Sequence, residues 1–151
     1  MAKCSPLSHI LVLVDGTEAS FNAADRAIAL ASSLGARLTA LAVVDTDTLR
    51  QLLSVKILVD AEMGEFEREL RASAKRQLTE VRQRALECRV VVEEVLVTGN
   101  VESVVPREVK DRGVDLIALG GFLSSRATRD LVARQRQQIV DHALCPVLLV
   151  K

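Results

Sequence analysis

The last third of the chain carries residues that are suited to holding a phosphate group. The apolar run Val114–Leu119 ends in Gly120-Gly121, and a polar stretch follows this turn. Glycines between a strand and a helix let backbone N–H groups approach an anion, and the start of the helix attracts negative charge. A tight turn without a ligand is the alternative interpretation of Gly120 and Gly121.

Residues after the turn extend the same hypothesis. Ser125 offers a hydroxyl group close to the turn. Basic residues are concentrated near the start of the predicted last helix, at Arg126, Arg129, Arg134 and Arg136. Together, Ser125 and these arginines would form an anion site that the N-terminus of the helix reinforces. Alternatively, Ser125 is a loop residue and the arginines belong to a solvated helix face.

The sequence indicates neither a metal centre nor an enzyme active site. His9 and His142 are the only histidines, and no cysteine pair has zinc-ligand spacing. A Gly-x-Ser-x-Gly elbow and a Lys-Ser/Thr phosphate loop are both missing from the sequence. We therefore predict no metal, no catalytic residue and no enzymatic activity.

Composition restricts the class of protein further. At 151 residues the chain is long enough for one domain spanning 1–151, and its 49% hydrophobic residues can form a core. Equal numbers of basic and acidic residues, 20 each, argue against a nucleic-acid partner. No run of about 20 apolar residues is present, so no membrane span is predicted.

The cysteines and the start of the sequence bear on the compartment. Three cysteines without a Cys-x-x-Cys pair fit a reducing environment, and the first residues lack a signal-peptide pattern. We therefore expect a cytoplasmic protein. Cys88 and Cys145 are expected to be small core residues.

Five short apolar runs alternate with helical segments along the chain. The runs are Ile10–Val14, Leu38–Val44, Arg89–Val97, Val114–Leu119 and Val147–Val150. Such alternation with short turns predicts a single α/β fold: a doubly wound, open, parallel five-stranded sheet with helices on both faces. Ligands of such sheets bind beyond the carboxyl ends of the strands. The candidate ligand-facing turns are those after Val14, Val44, Val97 and Leu119.

Helix boundaries can be assigned from capping residues. Thr17 and Asn100 are expected N-caps, whereas Gly35 and Gly113 are expected to end helices. A long amphipathic helix is expected to end near Glu87. The apolar part before it, 49–63, is predicted as a separate shorter helix with a hinge near Gly64. The segment 47–64 either covers the ligand site or joins a dimer interface.

Several segments together resemble the universal stress protein family, and they cover nearly the whole chain. The segment Ile10–Ser20 is similar to the family's first strand and its Asp-Gly-Ser/Thr turn, and Val43-Val44-Asp45 is similar to the end of its second strand. Further similar segments are Val97–Asn100, Gly113–Gly120 and His142–Val150. The resemblance implies a Rossmann-like fold, as in the adenine nucleotide alpha hydrolases, and a role in stress response.

The family's nucleotide-binding motif is only partly present. Its pattern is Gly, two residues, Gly, nine residues, then Gly-Ser or Gly-Thr. Placed without gaps, the pattern begins at Gly120, but its later positions fall on Leu123, Ala133 and Arg134. Leu123 is bulky where a glycine is expected. Arg134 replaces a hydroxyl group with a charge that can bind phosphate.

Two functions follow from this partial match. In the family, the position of Asp15 contacts the adenosine part of the nucleotide, and the position of Val43 contacts adenine through its backbone. We expect a non-enzymatic protein with lost or weakened ATP binding and no required cofactor. The alternative is a sensor of adenine nucleotides (ATP, ADP or AMP) in which Asp15 contacts the ribose and Arg134 the phosphate. A structural role for Asp15 in its turn is weighed equally.

The C-terminal strand suggests a homodimer. An edge strand leaves backbone groups unpaired beside apolar side chains, and such an edge commonly acquires a partner. In the family the last strand pairs with its counterpart across a two-fold axis. The predicted interface residues are Val147, Leu148, Leu149 and Val150.

Overall fold

The computed structural model describes residues 7–47, 50, 60–121 and 129–151. The strands are β1 (His9–Leu13), β2 (Arg37–Val44), β3 (Val92–Thr98), β4 (Leu116–Gly120) and β5 (Val147–Val150). The helices are α1 (Glu18–Leu34), α2 (Asp60–Glu87), α3 (Val101–Arg112) and α4 (Arg129–His142). The strands form one parallel sheet in the order β3-β2-β1-β4-β5, which confirms the predicted fold class.

Alternate residues of β1 face two separate hydrophobic layers. Ile10 and Val12 pack with buried residues of α1 and α2, whereas Leu11 and Leu13 pack with α3 and α4. All five residues of β1 are buried. A continuous apolar run is therefore required here, because a central strand covered on both faces has no solvent-exposed side.

The predicted helix boundaries are confirmed at the caps. Thr17 accepts a hydrogen bond at 3.1 Å from the backbone N–H of Ser20, and Asn100 accepts one from Glu102 at 2.8 Å. Gly35 ends α1 with φ of 64°, a left-handed conformation that is readily available to glycine. These caps place the starts of α1 and α3 close to the carboxyl ends of the strands.

Three local predictions were wrong. Helix α2 runs without a break from Asp60 through Gly64, so the described chain has no hinge there. Strand β3 begins at Val92 rather than Arg89, because Arg89 adopts φ of 57° in the turn that follows α2. Cys88 is exposed, since it lies in that same turn and not in the core. The rest of the segment 47–64, apart from Asp47, Arg50 and 60–64, lies outside the described residues.

Among the residues that the structure describes, no helix combines the length and the apolar character needed to cross a bilayer.

Candidate functional site

The carboxyl ends of β1 and β4 lie side by side where the strand order reverses. Strands β2 and β3 extend the sheet on one side of β1, whereas β4 and β5 extend it on the other. Doubly wound sheets bind ligands in the crevice beyond such a reversal. Because Asp15 follows β1 and Gly120 ends β4, the fold brings together the two turns that the sequence indicated.

Asp15 is tied into the turn that starts α1. Its Oδ1 atom accepts hydrogen bonds from the backbone N–H of Thr17 at 3.0 Å and from the Thr17 hydroxyl at 2.6 Å. Burial alone would raise the pKa of Asp15, but the Thr17 hydrogen bonds and the charge of Arg136 together lower it below its ordinary value. Asp15 is therefore held as a carboxylate.

The second oxygen of Asp15 is bound by an arginine from α4. Arg136 Nη2 lies 2.7 Å from Asp15 Oδ2, and Nη1 donates to the backbone carbonyl of Gly121 at 2.8 Å. The side chain of Arg136 is 7% exposed, against 32% for Asp15. A single guanidinium thus connects the end of β1, the end of β4 and helix α4 at the point where the strand order reverses.

Arg136 was assigned by the sequence to a basic helix face, and its inward direction was missed. The signal was present in the spacing, because Arg136 precedes the buried Ile139 by three positions and the partly buried Ala143 by seven. Residues at these intervals share one helix face. An arginine is rarely buried without a partner, and here the partner is the distant Asp15.

Gly120 and Gly121 allow close backbone packing. A Cβ atom on Gly120 would lie 2.6 Å from the carbonyl carbon of Ala19 and 2.7 Å from the nitrogen of Ser20. A Cβ atom on Gly121 would lie 3.1 Å from the carbonyl oxygen of Val150. Neither glycine has a positive φ. The close approach of α1 and of the end of β5 therefore accounts for both glycines without a ligand.

A cleft of about 210 Å³ opens beside Asp15. Its walls come from the ends of β1 and β2 and from α3 and α4. The lining residues are Leu13, Val14, Asp15, Thr17, Val43, Asp45, Val101, Gln135, Arg136 and Ile139. The predicted residues Asp15 and Val43 thus lie in one cleft.

The remaining predicted site residues are distributed differently. Arg134 is exposed on α4, and Ser125 lies outside the described residues. On β5, Val147, Leu148 and Val150 are partly buried, while Leu149 is 43% exposed. Strand β5 is an edge of the described sheet, as the dimer prediction requires.

The described residues offer no group of three or more histidine, cysteine, aspartate or glutamate side chains placed to hold a metal ion. His9 is buried at the opposite end of β1, with Nδ1 3.0 Å from the carbonyl oxygen of Arg112. Since a carbonyl only accepts, Nδ1 carries the proton and Nε2 accepts from the Thr39 hydroxyl at 2.7 Å. His9 is therefore a core residue with both ring nitrogens hydrogen-bonded, at the opposite end of β1 from the cleft.

Comparison with known proteins decides the family. The family model described as "Universal stress protein family" matches residues 6–151. The chain belongs to the universal stress protein family. A curated family member, universal stress protein YxiE of Bacillus subtilis (strain 168), is 26% identical over 149 residues, which cover 95% of this chain and 99% of YxiE.

Solved universal stress proteins share the fold. Universal stress protein UspA from Lactobacillus plantarum has a TM-score of 0.78 at 24% identity, and the match covers 97% of this chain and 99% of that one. A universal stress protein solved in complex with cAMP has a TM-score of 0.70 at 21% identity, covering 97% and 98% of the two chains. These structures agree with the observed parallel sheet and its flanking helices.

Proposed function

We propose that this chain is a non-enzymatic, single-domain universal stress protein that acts in stress response as a cytoplasmic homodimer and in which ATP binding is lost or weakened. The observation that carries the proposal is the ion pair between Asp15 and Arg136. Thr17 occupies one carboxylate oxygen of Asp15 and Arg136 occupies the other. A ligand that uses Asp15 has to compete with these internal contacts.

The free-energy cost to a ligand of displacing Arg136 from Asp15 lies between the values for a buried and an exposed ion pair. Removing one partner of a buried ion pair costs about 3–5 kcal/mol, whereas an exposed pair contributes only about 0–1 kcal/mol. With Asp15 about one-third exposed, solvent screening reduces the upper figure. A penalty of about 1–3 kcal/mol corresponds to a loss of roughly five- to 150-fold in affinity.

Calorimetric titration of the purified chain with ATP, ADP and AMP tests the proposal. We expect no binding of ATP in the micromolar range. Saturable binding of ATP in the micromolar range would overturn the proposed loss of ATP binding. For a non-enzymatic protein we also expect no hydrolysis of ATP over hours, as measured by a phosphate-release assay.

A second candidate function is a sensor of adenine nucleotides that uses Asp15 and Arg134. The cleft beside Asp15 and Val43 supports it, as does the related universal stress protein in complex with cAMP. This function requires that Arg134→Ala weakens nucleotide binding at least ten-fold. Asp141→Asn, an exposed substitution on the same helix, is the control. Equal affinities for the wild type and Arg134→Ala would remove Arg134 from the site.

Dimerisation is supported by the position of β5. This strand pairs with β4 on one side only within the described sheet, and Leu149 is exposed. A groove of about 600 Å³ also runs between α1 and β5, lined by Arg26, Ala29, Leu30, Ser33, Leu148, Leu149, Val150 and Lys151. A second copy that pairs through β5 would cover this edge and its apolar residues.

A further inference from the structure

Gly121 connects the cleft with the edge strand β5. Its backbone N–H donates to the carbonyl oxygen of Val150, and its own carbonyl oxygen accepts from Arg136 Nη1 at 2.8 Å. The second terminal nitrogen of the guanidinium, Nη2, lies 2.7 Å from Asp15 Oδ2. Direct contacts therefore run from Asp15 through Arg136 and Gly121 to the last residue of β5.

Strand β5 is short and is held from one side only. It has four residues, Val147–Val150, and within the described sheet it pairs with β4 alone. A hydrogen bond from the Ile117 N–H to the Pro146 carbonyl oxygen at 3.0 Å fixes its start, and the bond between Gly121 and Val150 fixes its end. Because the end of a short edge strand opens more easily than a central strand, its pairing depends on the conformation of Gly121.

Close packing favours glycine at position 121, and glycine restricts the backbone poorly. A Cβ atom there would lie 3.1 Å from the carbonyl oxygen of Val150 and 3.3 Å from the Cα atom of Lys151. Without a side chain, the backbone of Gly121 has wide conformational freedom. The guanidinium of Arg136 limits that freedom, because the arginine side chain is only 7% exposed and its contact with Asp15 fixes its direction.

We infer that Arg136 is a positioning residue that couples the turn at Asp15 to the edge strand of the proposed dimer: by holding the Gly121 carbonyl group, it keeps Val150 paired with β4. The inference rests on the proposed dimerisation through β5 and names a contact that regulates it. Release of Arg136 frees the end of β5, and that end has to be ordered again before a second copy can pair with it.

The coupling also gives the cleft an influence on assembly. A ligand that takes the place of Arg136 on Asp15 removes the contact that directs the guanidinium towards Gly121. Such a ligand weakens the dimer, and by thermodynamic reciprocity dimerisation weakens the binding of that ligand by the same factor.

Hydrogen exchange of the Gly121 backbone amide, followed by NMR on the full chain, tests the hold on Gly121. Arg136→Met keeps a long apolar side chain but has no donor, so this amide should exchange at least five-fold faster. Val81→Ala is the control, because it creates a cavity in the buried core at α2 and touches none of these contacts. It should leave the exchange rate of Gly121 within two-fold. Equal acceleration in both variants would show that Gly121 opens only with the whole protein, and it would overturn the inference.

Sedimentation equilibrium tests the coupling to the dimer. The dissociation constant of the dimer should rise at least three-fold in Arg136→Met. It should stay unchanged in Arg134→Ala, which removes the same charge from an exposed position on α4. Equal dissociation constants for the wild type and Arg136→Met would overturn the inference and leave the proposed dimer intact. A monomeric wild-type protein would overturn the proposed dimer, and with it this coupling.

A second variant covers a folding defect in Arg136→Met. Asp15→Asn retains Arg136 and a side chain of the same shape, but it removes the negative charge that directs the guanidinium. The exchange rate of the Gly121 amide and the dissociation constant of the dimer should both rise, by smaller factors than in Arg136→Met. Faster exchange at Gly121 without any change in the dissociation constant would contradict the coupling.

Discussion

Asp15 and Arg136 lie 121 positions apart in the sequence, yet Arg136 Nη2 is 2.7 Å from Asp15 Oδ2. The pair lies where ligands of this fold class bind, and it occupies groups that a ligand would use. A side chain of the protein thereby neutralises the carboxylate that the family resemblance assigned to nucleotide recognition.

Arg136→Ala is expected to lower the free energy of unfolding by about 1–3 kcal/mol. The substitution leaves the partly buried Asp15 without its cation and the Gly121 carbonyl without its donor. Urea denaturation followed by circular dichroism measures the change. Arg134→Ala, two positions away and exposed, should stay within about 0.5 kcal/mol of the wild type. Similar losses in both variants would contradict the structural role of Arg136.

Gly120→Ala and Gly64→Ala should have opposite effects on stability. At Gly120 the new methyl group meets the backbone of Ala19 at 2.6 Å, which no side-chain rotation relieves. We expect the free energy of unfolding of Gly120→Ala to fall by about 1–3 kcal/mol or more. At Gly64, inside α2, a Cβ atom would meet no atom within 4 Å apart from the adjacent backbone of the helix, so alanine should raise the free energy of unfolding by about 0.5–1 kcal/mol. Thermal unfolding of the two variants checks the signs, and a stable Gly120→Ala protein would contradict the close packing.

Stability should fall as the pH drops below 6.5 because His9 is buried. Burial is the largest influence, and it lowers the pKa of His9 from 6.5 in spite of the hydrogen bond to the Arg112 carbonyl. The unfolded chain therefore binds this proton before the folded chain does, and the stabilisation is complete only above pH 6.5. Urea unfolding between pH 5 and pH 7.5 measures the slope.

Two comparisons attribute that slope to His9. His9→Gln should flatten the dependence, whereas His142→Gln, at the exposed end of α4, should retain it. Asp15 and Asp115 have pKa values lowered from 3.8, so they remain ionised throughout the range. A slope that survives in His9→Gln would assign it to other groups.

Leu149→Lys should weaken the proposed dimer at least ten-fold, because it places a charge on the apolar edge of the sheet. Sedimentation equilibrium at micromolar concentration measures the association. Leu144→Lys is the matched control, since Leu144 is 80% exposed and lies before β5. A wild-type protein that sediments as a monomer, or equal effects of both substitutions, would argue against pairing through β5.

Local sequence patterns determined most of the fold. Continuous apolar runs predicted buried parallel strands, and Thr17, Asn100, Gly35 and Gly113 predicted helix ends, because capping depends on the conformation of a few adjacent residues. Errors occurred where a local signal was weak. At Gly64 a lone glycine is tolerated within a helix that packs against the sheet, and at Cys88 the side chain points out of a turn.

The tertiary structure alone decided what the candidate site contains. The sequence placed Asp15 and Gly120 at ligand-facing turns, but it predicted Arg136 to be part of an anion site or of a solvated helix face, and neither prediction gave it Asp15 as a partner. That partner comes from the other end of the chain and becomes a neighbour only when β1 and β4 pair. The backbone of Ala19 likewise lies too close to position 120 for any residue other than glycine. No spacing in the sequence reveals this contact.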